Sequence, residues 1–179
     1  MNFAEKKYHL SGARIYLRIL EKTDASERYA SWLNDPEVNK YLETRVATVP
    51  ELENYITEKL MSPNCLFFGI FTNEKDEHIG NVKLEPIDEV AKTATMGILI
   101  GEKDFWGKGI ATEVTNLITQ FAFSELGLCE VRLGVLAENL PAQRVYEKCG
   151  FTVFKIDKGA LVHGNTAHDQ IWMRCLSKN

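Results

Sequence analysis

No C-x-x-C pair, no histidine spacing suited to a metal and no long apolar run occur in this 179-residue chain. Its four cysteines, Cys65, Cys129, Cys149 and Cys175, are widely scattered, so neither a zinc ribbon nor a disulfide framework is implied. Cys65 and Cys129 stand in apolar strand-like runs and Cys149 on an apolar helix stripe, which predicts buried free thiols in a reducing compartment. His163 and His168 fall in a turn-rich segment rather than on one helix face, so no metal is expected. The longest apolar run, Cys65 to Phe71, is far too short to span a bilayer. Met1 to Lys7 is polar and no apolar run follows it, so neither a signal peptide nor a membrane partner is expected. Positive charge is scarce as well. A formal net charge of -4 leaves little basic surface for neutralising phosphates, which argues against a nucleic acid partner. Repeats, low-complexity segments and linkers are missing, and the length suits one buried core better than two. Residues 1–179 therefore read as one domain of a cytoplasmic protein.

What is present is a regular succession of elements. Ala13 to Leu20 alternates as a strand with Ile15, Leu17 and Ile19 on one face. Thr23 can cap a helix to about Leu33, which Asn34-Asp35-Pro36 stops. Thr48-Val49-Pro50-Glu51 is a capping box with proline in the first turn, predicting a second helix to about Met61. Leu66–Phe71, His78–Leu84 and Thr93–Ile100 read as an antiparallel meander, broken by the Asn73–Asp76 turn and a loop containing Pro86 and Asp88. Ile110 to Leu126 carries a helical stripe of Ile110, Val114, Leu117, Ile118 and Phe121, with Gly127 as its stop. A strand at Glu130–Leu136, a helix at Asn139–Cys149 and two last strands, Phe151–Ile156 and Gln170–Leu176, complete the chain, the last two joined by a polar loop. The order predicts an α/β fold: a mixed sheet with helices on both faces.

The turn Phe105-Trp106-Gly107-Lys108-Gly109-Ile110-Ala111-Thr112 is the densest signal. Two glycines around a lysine, between a strand and a helix, leave backbone N–H groups bare where the helix dipole favours an anion. A nucleotide P-loop does not fit, because Gly101 stands one residue too far upstream and Gly109 replaces the magnesium-binding hydroxyl. A dinucleotide fingerprint does not fit either, because Thr112 occupies the third glycine's place and the preceding strands form a meander.

Trp106-Gly107-Lys108-Gly109-Ile110-Ala111 resembles in register the pyrophosphate loop of the Gcn5-related N-acetyltransferase (GNAT) family, [QR]-x-x-G-x-[GA]. Tryptophan in the first position is similar to the RimJ/RimL-type branch. One strand and one helix later, Asn139-Leu140-Pro141-Ala142-Gln143-Arg144-Val145-Tyr146-Glu147-Lys148-Cys149-Gly150-Phe151 resembles the family's N-x-x-A-x-x-x-Y-[EK]-[KR]-x-G-F block. The resemblance implies a mostly antiparallel sheet of about seven strands flanked by about four helices. It also implies that Met96–Ile100 and Glu130–Leu136 splay apart to hold acetyl-CoA. Residues 12–62 would form the acceptor side and 63–179 the acetyl-CoA-binding core.

On the same footing, the backbones of Ile98 and Ile100 would pair with the pantetheine arm, in the manner of an added strand. An N–H near Leu99 would serve the oxyanion. Gly107, Lys108, Gly109, Ile110, Ala111 and Thr112 would hold the pyrophosphate, with Asn139 and Arg144 reaching the pantetheine arm or nucleotide. Tyr146 would give a proton to the departing thiolate. Local readings stand beside these: Tyr146 lies on an apolar stripe with Ala142, Val145 and Cys149, and Asn139 suits a helix N-cap. An alkyl ammonium with pKa of about 10.4 must lose a proton before it attacks. Thr95-Met96-Gly97 offers no carboxylate for that task. Glu85, Asp88 or a water chain are the nearest alternatives. Trp32-Leu33-Asn34-Asp35-Pro36-Glu37-Val38 and the Tyr41 to Arg45 stretch would wall the acceptor. The branch implies a small-molecule amine (amino sugar, polyamine or similar) or a protein N-terminus as acceptor, and is compatible with a homodimer. A non-catalytic acyl-CoA-binding or sensory module is the alternative.

Overall fold

Runs rich in Phe, Ile, Val and Leu pair side by side into one mixed sheet in the computed structural model, which describes residues 7–42, 46–163 and 166–178. Its strands are β1 (His9–Ser11), β2 (Ile15–Ile19), β3 (Leu66–Thr72), β4 (His78–Asp88), β5 (Thr93–Ile100), β6 (Glu130–Leu136), β7 (Thr152–His163) and β8 (Thr166–Leu176). Their spatial order is β1-β2-β3-β4-β5-β6-β8-β7. Every neighbouring pair is antiparallel except β5 with β6, which is parallel. The helices are α1 (Glu27–Asn34), α2 (Val49–Met61), α3 (Ile110–Ser124) and α4 (Leu140–Lys148).

Two apolar layers sandwich the sheet. On one face Ile110, Val114, Ile118 and Phe121 of α3, with Tyr146 of α4, pack on Phe68, Val82, Leu84 and Met96. On the other, Trp32 and Leu33 of α1 and Leu52 and Ile56 of α2 cover Cys65 and Phe67. β3 is buried along its whole length because both layers meet on it.

The capping box forms as the sequence predicts: the Thr48 N–H and hydroxyl donate to Glu51 Oε2, each at 2.8 Å. Four expectations change. The sheet has eight strands, the short β1 being added beside β2. Thr23 lies in a 3-10 turn, and Ser26 caps α1 by accepting the Tyr29 N–H at 3.2 Å. Pro86 and Asp88 lie inside β4, where a bulge between Leu84 and Ile87 absorbs the proline's missing donor. The polar connection near the C-terminus is itself strand, paired from Thr152 with Arg174 out to His163 with Thr166. Cross-strand pairing, which needs no apolar alternation, holds it.

The thiols also depart from the expectation of burial. Cys65 is buried, and burial pushes its thiol up to about 12. Cys149 and Cys175 are half-buried and Cys129 is exposed. Among the described residues, no helix is long and apolar enough to cross a membrane.

One contact ties α1 to the end of β5. A Cβ at Gly101 would stand 2.0 Å from the Trp32 ring, and Trp32 Nε1 donates to Glu102 Oε1 at 2.9 Å. Gly101→Ala should therefore cost about 1–3 kcal/mol by overpacking. Urea denaturation measures it, and a loss below about 0.5 kcal/mol would mean that the indole moves aside freely.

Candidate active site

β5 and β6 pair over Thr93–Thr95 and Glu130–Arg132 and then part. Beyond that point β5 remains bonded to β4 as far as Ile100, and β6 to β8 as far as Leu136. The Gly101 N–H donates to the Ile79 carbonyl at 2.9 Å. Strand alternation from that bond turns the backbone groups of Leu99 and Gly97 toward β4, and those of Met96, Ile98 and Ile100 toward the gap. The close approach of the Leu99 carbonyl to Gly80 agrees, since a Cβ on Gly80 would lie 2.2 Å from that oxygen. The Leu99 N–H thus faces β4, and the N–H groups on either side of it that face the gap are those of Ile98 and Ile100, while Leu99 lines the cavity described below.

At the end of β5 the chain enters the glycine turn. Gly107 (φ 69°) and Gly109 (φ 80°) both adopt the left-handed conformation that side chains resist. Gly109 is the N-cap of α3 and has no side chain to bond the first turn. The N–H groups of Ile110, Ala111 and Thr112 are thus open to an anion. Two contacts invisible to the motif fix the turn. Trp106 Nε1 donates to the Ile100 carbonyl at 2.8 Å, tying the turn to the strand. Arg14 Nη1 donates to the Lys108 carbonyl at 2.6 Å. Arg14 is itself held by Glu113 in the first turn of α3, Nε to Oε2 at 2.8 Å. Burial would raise the Glu113 pKa, but hydrogen bonds from Arg14 hold it below the usual carboxylate range. The Lys108 side chain is exposed.

A cavity of about 620 Å³ runs through the gap. Its sheet floor is Met96, Gly97, Ile98 and Leu99 on one side and Gly134, Val135 and Leu136 on the other. α4 contributes Tyr146, with the preceding Asn139; α1 and α2 contribute Tyr29, Leu33, Leu52 and Tyr55. Leu33, Tyr41 and Leu42 of the expected acceptor wall line it, and residues 43–45 of that stretch lie outside the described residues. Asn139 also caps α4, accepting the Ala142 N–H at 3.3 Å. Tyr146 is 8% exposed in the core and also reaches the cavity wall. Its hydroxyl bonds to no protein group among the described residues, and burial pushes its pKa up to about 12. Arg144 is exposed on α4 and Ile100 packs into the core beside α3; neither side chain lines the cavity.

Comparison with known proteins decides what such a site belongs to. The family described as "Acetyltransferase (GNAT) domain" matches residues 14–152. The chain belongs to the GNAT acetyltransferase family. As a GNAT protein it is an N-acetyltransferase, and its relatives carry that name. A probable N-acetyltransferase of Bacillus subtilis, YjcK, is 34% identical over 171 residues, covering 91% of each chain. The spermidine N(1)-acetyltransferase of Escherichia coli K12 is 36% identical over 155 residues, covering 86% of this chain and 78% of that one. Among solved structures, the spermidine N-acetyltransferase of Vibrio cholerae in complex with CoA and spermine superposes with a TM-score of 0.84. It is 25% identical and covers 92% of this chain and 96% of that chain.

The two carboxylates that the sequence offers as a general base are already committed. Glu85 bonds Lys83 Nζ at 2.7 Å and Lys59 Nζ at 2.9 Å. Burial would raise its pKa, but those ammonium groups hold it below the usual range. Asp88 Oδ1 accepts the Val90 and Ala91 N–H groups at 3.0 and 2.8 Å and so closes the β4–β5 turn. Neither lines the cavity. A depressed carboxylate adds stability above its unfolded pKa and loses it as the pH falls through the folded value. The stability gap between wild type and Glu85→Gln should therefore be open at neutral pH and close in acid. Urea melts from neutral to about pH 3 measure it, and a gap independent of pH would mean that the ion pairs contribute nothing.

Proposed function

We propose that the chain transfers the acetyl group of acetyl-CoA to a primary amine by direct attack of the nitrogen on the thioester. The observation that carries this reading is the open edge of β5, which runs straight into the left-handed glycine turn. An extended arm with amides, followed by a pyrophosphate, matches an unpaired strand edge followed by bare helix N–H groups. Gly107 to Thr112 would hold the pyrophosphate and Ile98 and Ile100 the pantetheine amides. Trp106 supports the RimJ/RimL-type branch, and residues 12–62 and 63–179 would form the acceptor side and the donor core. Relatives that acetylate spermidine support an amine acceptor.

In this mechanism the N–C bond forms as the C–S bond breaks. An ammonium acceptor loses one proton before attack and a second as the amide forms. The departing sulfur takes one proton and solvent the other. Negative charge developing on the thioester oxygen meets the gap-facing N–H of Ile98 or Ile100, a donor fixed in place by the strand. Tyr146 supplies the proton to sulfur and is recharged from solvent. Burial keeps the phenol protonated at neutral pH, the state from which it can donate.

Release of CoA thiol from acetyl-CoA in the presence of an amine panel tests the reading. Tyr146→Phe should lower kcat about a hundredfold while the KM for acetyl-CoA stays within about twofold. In the wild type, a fall in rate from loss of the phenolic proton belongs near the raised pKa of about 12, not near the ordinary phenol value. Unchanged turnover in Tyr146→Phe would return Tyr146 to the core alone.

A further inference from the structure

Two side chains on the acceptor face of β4 have hydrogen-bonding capacity that nothing in the fold uses. Asn81 is 3% exposed and lines the cavity, and its Nδ2 has no hydrogen-bond partner. The orientation of its amide follows from His78. The Nε2 of that ring contacts the Gly80 carbonyl at 3.0 Å and Asn81 Oδ1 at 2.9 Å. A carbonyl only accepts, so Nε2 carries the proton, and Asn81 must present oxygen to it. The amide NH₂ is left for the cavity.

Two positions on, Lys83 also lines the cavity. Its ammonium reaches Glu85 Oε2 at 2.7 Å and Tyr55 Oη at 3.0 Å. Two of its three N–H donors are thereby used and one is free. Burial opposes its charge, but the bonds to Glu85 and Tyr55 outweigh that and keep it protonated.

These donors flank the place where the acetyl group would sit. Asn81 pairs with Leu99 and Lys83 with Gly97, and a Cβ at Gly97 would meet nothing within 4 Å. Open room over Gly97 and two N–H donors carried by the neighbouring strand suit an acceptor that has a carboxylate beside its amine. Around them the wall is apolar and aromatic: Leu33, Leu52, Tyr55 and Phe67. A polyamine finds little here. Among the described residues the cavity's one lining carboxylate is Glu51, whose Oε2 is held by its capping box, and the Lys83 ammonium repels a second cation.

We propose that the acceptor is an α-amino acid with an apolar side chain, its carboxylate held by Asn81 Nδ2 and Lys83 Nζ and its amine turned to the β5–β6 gap. The proposal rests on the acetyl-transfer reading above. Thiol release can be followed with L-phenylalanine and L-leucine, their decarboxylated counterparts 2-phenylethylamine and isoamylamine, and spermidine. The wild type should favour each amino acid over its decarboxylated partner by roughly ten- to hundredfold in kcat/KM, the range of a hydrogen bond to a charged group. Lys83→Met, in which Glu85 keeps Lys59, should bring that ratio close to one, mainly through KM for the amino acid. Lys83→Arg should retain most of it. Equal or better turnover of the decarboxylated amines or spermidine by the wild type overturns the proposal and leaves acetyl transfer standing. A preference that survives in Lys83→Met overturns it as well. No thiol release with either amino acid overturns the proposal, whereas acetyl transfer itself stands or falls with the wider amine panel above.

Discussion

The parting of β5 from β6 after Thr95 is the constraint on which the rest of the molecule depends. Each strand is secured on its outer side, β5 by β4 and β6 by β8, so the sheet survives the opening between them. What the opening leaves is a row of backbone groups at Met96, Ile98 and Ile100 without a strand to bond. A buried peptide group without a partner costs about 1–3 kcal/mol, so such an edge calls for water or an extended ligand. The other elements are placed around that demand. The glycine turn follows from the same strand, the indole of Trp106 closes on the Ile100 carbonyl, and helices from both faces wall the gap.

Those parts of the fold that depend on local chemistry were legible in the sequence. The Thr48–Glu51 box, the bounds of β5 and β6, and the Asn139 cap each follow from a few adjacent residues whose backbone needs are fixed. The same holds for Gly107 and Gly109, where positive φ excludes most side chains. Features that depend on distant partners were not. Arg14 steadies the turn from nearly a hundred residues away (|i−j| = 94). Ser26 rather than Thr23 became the α1 cap because a 3-10 turn absorbs Lys22–Asp24. The strand character of Leu161–His163 comes from pairing with β8 beyond a break in register after Asp157, not from its own apolar pattern. For Asn81 and Lys83, alternation along β4 gives their common face. Their unused donors appear only once His78, Glu85 and Tyr55 are seen to take the rest.

The acid–base economy of the cleft follows from where its carboxylates went. Glu51 closes a helix cap, Glu85 bridges two lysines, Asp88 ties a turn and Glu113 clasps Arg14. Each serves a structural purpose, and none of the four stands beside Tyr146 at the gap. In the proposed mechanism, removal of the acceptor's proton would fall to water that enters the cavity. The tyrosine, kept protonated by burial, would supply only the acid half of the reaction. Such a site works best on a nitrogen that parts with its proton readily. α-Amino groups are less basic than the alkyl amine of a lysine or a polyamine, and a neighbouring carboxylate gives Asn81 and Lys83 something to hold. The same shortage of free acids that denies the cleft a general base thus also denies it a grip on polycations. On both counts the geometry favours an amine that brings its own negative charge.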